Sequence, residues 1–192
     1  MSWCPGATSE AQKPGVLVHI CCGPCATYVV RALREDFHPT GYFYNPNIHP
    51  EGEYTLRREA LEAYAVDAGL PLREGAYDVG RWLERVAGHQ DDPEGGERCA
   101  ICFRVRLEET ARHAKAHGFE HFATTLTVSP HKNAEGINRI GEEVGAELGL
   151  CFHKADFKKH DGFKNSCRLS RQLGMYRQHY CGCVYSARRE ST

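Results

Sequence analysis

No apolar run in this chain approaches the ~20 residues needed to cross a bilayer. Met1 to Pro14 also lacks the charged-then-apolar pattern of a secretory signal. Membrane insertion and export are therefore not expected, and the sequence predicts a cytoplasmic protein. Repeats, low-complexity tracts and any sign of a second domain are missing too, which leaves a tail over 1–14 and a single domain over 15–192. Net charge is nearly absent, at −1, but the small sum hides an imbalance. From Leu150 to Thr192 nine Lys and Arg stand against three Asp and Glu, so the end of the chain is basic and the rest acidic. Such a basic segment suits either phosphate or a solvated surface.

Cysteine, in contrast, is plentiful. Ten are present, and six form the pairs Cys21-Cys22, Cys99-x-x-Cys102 and Cys181-Gly182-Cys183. A chain that is 41% hydrophobic has enough apolar surface for a core without disulfide staples. In a reducing compartment, clustered thiols point to metal ligation or catalysis rather than to permanent bridges.

Hydrophobic patterning gives a strand–helix rhythm. Val16 to Ile20 reads as a buried parallel strand, and Pro24 opens a helix whose apolar positions are Ala26, Val29, Val30 and Leu33. Strand-like segments follow over Thr40–Asn45, Leu72–Tyr77, Glu120–Leu126 and Leu150–Ala155. Helical ones follow over Glu53–Ala68, Val79–Ala87, Cys99–His117, from after Asn133 through Leu148, and from Ser166 to Gln178. Alternation of this kind predicts a three-layer, Rossmann-like α/β domain with a parallel sheet of about five strands. Ligands in such sheets sit beyond the carboxyl ends of the strands, where Cys21-Cys22, Tyr77-Asp78 and Thr125 to Lys132 all fall.

Adjacent residues leaving a strand point in opposite directions unless the chain turns, so Cys21 and Cys22 can serve different centres. Cys99 and Cys102, three apart near a helix start, share a face, and the helix dipole favours their thiolates. Four such thiolates suit zinc or an iron–sulfur cluster equally. Cys181 and Cys183 are too close for an unstrained bridge, so they read as a reducible disulfide, a metal-binding pair or two unpaired surface thiols beside a tight glycine turn. Cys4, Cys151 and Cys167 read as small apolar residues or free thiols, and Cys25 carries no assignment. A competing signal is Cys22-Gly23-Pro24-Cys25, the dithiol motif of thioredoxin-like oxidoreductases, which leaves the remaining pairs without a task.

Four segments taken together carry a resemblance. These are His19-Ile20-Cys21-Cys22-Gly23-Pro24-Cys25, Glu97-Arg98-Cys99-Ala100-Ile101-Cys102-Phe103 with Arg106-Leu107, Thr124-Thr125-Leu126 with Ser129-Pro130-His131-Lys132, and Tyr176 to Ser186. In residues, order and spacing the chain resembles the cobalamin-independent epoxyqueuosine reductase family, from about Val16 to Ser186. His131 departs from the pattern, standing where an aromatic phenol is more usual.

The resemblance implies a fold similar to adenine-nucleotide-binding (HUP-like) α/β proteins. Cysteines here replace the Ser-Gly-Gly phosphate loop of related pyrophosphatases, so ATP use is not expected. It implies two-electron deoxygenation of epoxyqueuosine to queuosine at the wobble position of tRNA, driven by an external electron donor. Carried over by position, Cys21, Cys22, Cys99 and Cys102 hold a [4Fe–4S] cluster, and Cys181 and Cys183 form a redox-active disulfide pair. A second, mononuclear iron would draw on Cys21, Cys183 and a carboxylate, Asp78 or Asp156. Tyr180 or His131 is the candidate proton donor, and Tyr176 or Tyr180 the candidate base-stacking aromatic. Lys158 and Lys159 are placed on tRNA phosphates. Lys132 and Asn133 bind substrate hydroxyls or cap the following helix.

Overall fold

The computed structural model describes residues 13–187; the 1–12 stretch of the expected tail, including Cys4, lies outside the described residues. The sheet has five parallel strands, β1 (Gly15–His19), β2 (His38–Phe43), β3 (Leu72–Glu74), β4 (His121–Thr124) and β5 (Cys151–Phe152), in the spatial order β3-β2-β1-β4-β5. The central strand β1 is buried on both faces, which is why its sequence is continuously apolar rather than alternating. Its even and odd positions feed separate cores. Val16, Val18 and Ile20 pack with Val29, Val30, Leu33 and Leu61, whereas Leu17 packs with Val105, Leu107, Phe122 and Val144.

The first core is covered by α1 (Gly23–Leu33), α2 (Glu51–Asp67) and, against α1, α6 (Gly162–Gln172); the second by α4 (Glu97–Ala116) and α5 (Ala134–Leu148). Two short helices, α3 (Val79–Arg85) and α7 (Val184–Ala187), and a 3-10 turn over Leu126–Val128 complete the element order. Helix ends follow the sequence signals. Pro24 lies in the first turn of α1, the Asn133 side chain accepts from Gly136 N–H at the start of α5, and Gly149 closes that helix at φ 72°. Gly141 lets α5 lie against β5, since a Cβ there would meet the Phe152 ring at 2.5 Å.

Three elements depart most from the expected bounds. The edge strands β3 and β5 are shorter, because each pairs with one neighbour only and little holds it extended. The last long helix spans Gly162–Gln172 rather than Ser166–Gln178: Gly174, at φ 60°, turns the chain away. The segment from Tyr176 to Cys183 is consequently loop, free to fold back over the sheet edge. No helix among the described residues is long and apolar enough to cross a membrane.

Candidate metal centre and catalytic cavity

The strand order reverses between β1 and β4, and the first group of thiols lies at that switch point. The chain turns into α1 directly after β1, so Cys21 and Cys22 do not diverge as an extended chain would require; their sulfurs are 3.8 Å apart. Cys25, one turn into α1, brings its sulfur to the same place, and the three lie within 4.8 Å of one another. Thr125, just past β4, fixes Cys21 across the switch point, with Oγ1 accepting from Cys21 N–H at 3.3 Å and lying 3.6 Å from the sulfur. The triad shares its protons unequally. Hydrogen bonds from Cys22 and Cys25 hold the Cys21 thiol well below its ordinary value, while the bond to Cys21 pushes Cys22 up to about 12 and Cys25 higher than usual. Negative charge therefore settles on Cys21.

The second group is gathered from two distant segments. Cys99 and Cys102 stand in the first turns of α4, and Cys102 packs with Cys183, Trp82 and Val86 in a small core of its own. Burial raises all three thiols, Cys102 to about 11. Donors oppose that rise: Gly95 N–H reaches Cys99 at 3.2 Å, and backbone amides of Tyr185 and Ser186 act on Cys183. The buried Trp82 indole N–H, which has no conventional partner, acts likewise on Cys102.

Buried arginines hold this second group in place. Arg57 on α2 pairs with Glu53 at 2.6 Å and donates to the carbonyls of Cys181 and Tyr180 at 3.1 and 3.0 Å. Glu53 also accepts from the Tyr176 hydroxyl at 2.5 Å, so one ion pair anchors both ends of the returning segment. Gly182 is required there twice over. Its φ is 98°, and a Cβ would come within 3.0 Å of Arg57 and Ile48. Arg98, 2% exposed, donates to the carbonyls of His89, Gln90 and Asp92 and so ties the loop before α4 to its first turn.

Cys21, Cys25 and Cys181 line a cavity of about 610 Å³, with Arg57, Arg106, Lys132, Arg177, His131 and Tyr180 among its other walls. Two of the cations face the sulfurs. Partial burial works against the Lys132 ammonium, but Cys181, Cys21 and Cys25 outweigh it and hold its pKa above the ordinary value. Arg106 donates through Nε to His19 Nε2 at 3.2 Å and through Nη2 to Asn45 Oδ1 at 2.7 Å. A guanidinium only donates, so toward Arg106 the ring is neutral with Nε2 accepting; Nε2 also lies 3.2 Å from the Tyr44 carbonyl, and Nδ1 lies 2.9 Å from Thr124 Oγ1. Burial, then Arg106, lowers His19 to about 3, consistent with that neutral form.

These donors suit a sulfur-ligated anionic cluster. Gln178 Nε2 reaches Cys22 at 3.0 Å, which gives each of Cys21, Cys22, Cys99, Cys102 and Cys183 a hydrogen-bonding neighbour, and such bonds together with nearby cations tune Fe–S centres. The chemistry of these donors therefore fits an iron–sulfur cluster, but the ligand atoms that converge within 4.8 Å are those of Cys21, Cys22 and Cys25, and Cys99 and Cys102 lie outside that group.

Other expected residues fall elsewhere. Asp78 caps α3, its Oδ1 accepting from Arg81 N–H at 3.0 Å, and it does not line the cavity. Asp156 carries a buried Oδ1 without a hydrogen-bond partner. Cys181 and Cys183 are free thiols, so the expected disulfide between them is not formed. Tyr180 lines the cavity, its hydroxyl donating to the His49 carbonyl, whereas Tyr176 lies in a separate groove with Leu173 and Met175. His131 is exposed at the cavity wall, and Lys158 Nζ donates to the Lys132 carbonyl at 3.1 Å. Sequence reading missed the roles of Cys25, Arg57, Trp82 and Arg106. Only Cys25, one helical turn beyond the Cys21-Cys22 pair, had a legible signal.

Comparison with known proteins gives a consistent picture. Residues 16–189 match the family model described as epoxyqueuosine reductase QueH. The epoxyqueuosine reductase QueH of Thermotoga maritima is 40% identical over 175 residues, covering 89% of each chain; that of Streptococcus pyogenes serotype M1 is 38% identical over 185 residues, covering 93% of this chain and 72% of its own. Among solved structures, the U34-tRNA thiolase NcsA from Methanococcus maripaludis with its [4Fe-4S] cluster superposes at TM-score 0.53 with 14% identity, over 93% of this chain and 64% of that one. A predicted subunit of tRNA methyltransferase from Methanocaldococcus jannaschii superposes at 0.51 with 13% identity, over 81% and 74%. At that identity the likeness is one of fold alone, a parallel α/β domain.

Proposed function

The chain belongs to the epoxyqueuosine reductase QueH family, and on that premise we propose that this oxidoreductase removes the epoxide oxygen from epoxyqueuosine at the wobble position of tRNA, the last step in making queuosine. The observation that carries the reading is the convergence of Cys21, Cys22 and Cys25 at the sheet edge, opening onto a cavity the size of a ligand site that Cys181, Arg106 and Lys132 also line. Cys21, Cys22, Cys99 and Cys102 would hold a [4Fe–4S] cluster, with Cys25 as a further thiol in its reach, and the cluster of the NcsA relative in fold supports that choice. When bound, the cluster supplies electrons one at a time from an external donor. Cys181 and Cys183 would be the second redox-active pair. For a mononuclear iron, Asp156 has a buried Oδ1 without a hydrogen-bond partner while Asp78 is committed as a cap, though neither carboxylate lines the cavity.

Conversion of an epoxide to an alkene consumes two electrons and two protons and releases water. Lys132, a cation among Cys21, Cys25 and Cys181, would hydrogen-bond the departing oxygen and stabilise its charge. Tyr180 is engaged with the His49 carbonyl and so serves better as a stacking surface for the splayed base than as a proton donor; His131, exposed at the cavity wall, is left as the donor. Lys158, whose Nζ donates to the carbonyl of the cavity residue Lys132, and its chain neighbour Lys159 would meet phosphates of the anticodon stem. The dithiol-exchange reading explains Cys22 and Cys25 and leaves the second group without work.

The direct test is reduction of epoxyqueuosine-containing tRNA by the anaerobically reconstituted protein, with queuosine scored by mass spectrometry of digested tRNA. Queuosine formed only by the iron-loaded protein supports the reading; formation by an iron-free preparation, or none by a fully loaded one with a competent donor, defeats it. Replacing Lys158 and Lys159 by Ala should weaken tRNA binding and reduce its log–log salt slope by roughly one to two, as counterion release requires, without changing the cluster spectrum.

A further inference from the structure

Arg106 is 2% exposed, yet no carboxylate among the described residues pairs with it; its side-chain acceptors, His19 Nε2 and Asn45 Oδ1, are neutral. The other buried arginines are used differently. Arg57 has Glu53, and Arg98 spends one nitrogen on three carbonyls. A guanidinium keeps its charge at any pH a protein tolerates, and leaving such a charge unpaired in an interior is costly. The His19 and Asn45 contacts hold it rigidly. Asn45 is itself fixed by donating to the Ile20 carbonyl at 2.9 Å, and His19 by Thr124 at 2.9 Å, both at the carboxyl ends of the central strands. From there Arg106 lines the cavity wall beside Cys21 and Cys181, and it stands one helical turn beyond Cys102 on α4.

We propose that Arg106 is a positioning residue for electron transfer: its unneutralised charge, locked behind both thiol groups, sets the reduction potential of the centre they bind. This assignment rests on the iron–sulfur reading above. Taking up an electron adds negative charge to a cluster, so a fixed cation close by in a low-dielectric interior favours the reduced form. The two neutral acceptors matter as much as the arginine does, since a carboxylate in either position would cancel the field that reaches the sulfurs. Lys132, on a flexible stem at the cavity wall, is free to follow the substrate oxygen, whereas Arg106 is fixed by two strand ends.

The test is a potentiometric titration followed by low-temperature EPR on the anaerobically reconstituted full chain, comparing the unaltered protein with Arg106→Gln, Arg106→Met and Arg106→Lys. The neutral variants should disfavour cluster reduction by tenfold or more, a midpoint at least about 59 mV lower for a one-electron couple, while Arg106→Lys stays close to the unaltered protein. Iron content and the visible spectrum should be unchanged in all of them. A neutral variant that keeps its cluster at the original midpoint overturns the assignment, even if it no longer turns over tRNA. Loss of the cluster from both neutral variants but not from Arg106→Lys overturns it as well, because the charge would then serve assembly. An unaltered protein that takes up no iron removes the underlying reading and this assignment with it, a result distinct from the other two.

Discussion

Cys21, Cys22 and Cys25 are brought together by one turn between β1 and α1, on backbone buried in the centre of the sheet; Cys99, Cys102, Cys181 and Cys183 are brought together by α4, a loop of returning chain and the arginines that pin it. The first group inherits its geometry from the fold's most ordered element. The second depends on contacts between residues more than a hundred positions apart, such as Arg57 with the Tyr180 and Cys181 carbonyls. A site divided in this way has a rigid half and a half that can adjust. On the proposed reading, that division would suit a centre that keeps iron while admitting a bulky nucleic acid.

The largest expected effect comes from the rigid half. Cys22→Ser should leave a protein unable to hold its cluster, with activity down by at least roughly 100-fold, whereas Cys181→Ser should keep the iron and lose turnover. Iron and sulfide assay beside the tRNA assay separates the two; iron lost from both variants would make Cys181 a ligand of the cluster as well. Next in size is Arg57→Ala, which strands the buried Glu53 carboxylate and should cost about 3–5 kcal/mol in urea unfolding. In the same variant Cys181 should be alkylated faster and Cys22 at its former rate. Gly182→Ala, which forces a side chain into φ 98° against Arg57, should cost roughly 1–3 kcal/mol and loosen only the second group.

The smallest effect is a control remote from both groups. His121 at the start of β4 and His153 beyond β5 meet around Phe37, and burial lowers both below the ordinary imidazole value, with His121 adding to the effect on His153 while Glu120 and Asp36 oppose it. The unfolded chain binds protons that these residues refuse when folded, so stability is full above about pH 6.5 and falls as the pH drops through the imidazole range. Replacing both by Gln should flatten that acid slope in pH-dependent urea melts and leave the cluster spectrum unaltered.

Much of the first half of the site could be read from the chain itself. An uninterrupted apolar strand followed by Cys-Cys-Gly-Pro-Cys places thiols at a strand-to-helix junction by local rules alone, and Gly69, Gly118 and Gly149, all at positive φ, end helices where the pattern expects. The direction of Cys22 was not legible, because it depends on how sharply the chain turns after Ile20. Nor was the clamp. Glu53 and Arg57 are four apart on a helix and read as an ordinary surface pair; only the returning segment, set loose by Gly174, makes them buried. Arg106 follows the buried Val105 on α4, and nothing local says that its partners will be His19 and Asn45 from two different strand ends.

The account stands most directly on the metal. Iron and acid-labile sulfide should be quantified on anaerobically purified protein, with an EPR spectrum taken after dithionite reduction. The prediction is about four irons and four sulfides per chain and a reduced-cluster signal that disappears in Cys22→Ser. A colourless protein carrying stoichiometric zinc, without iron or sulfide, would contradict it.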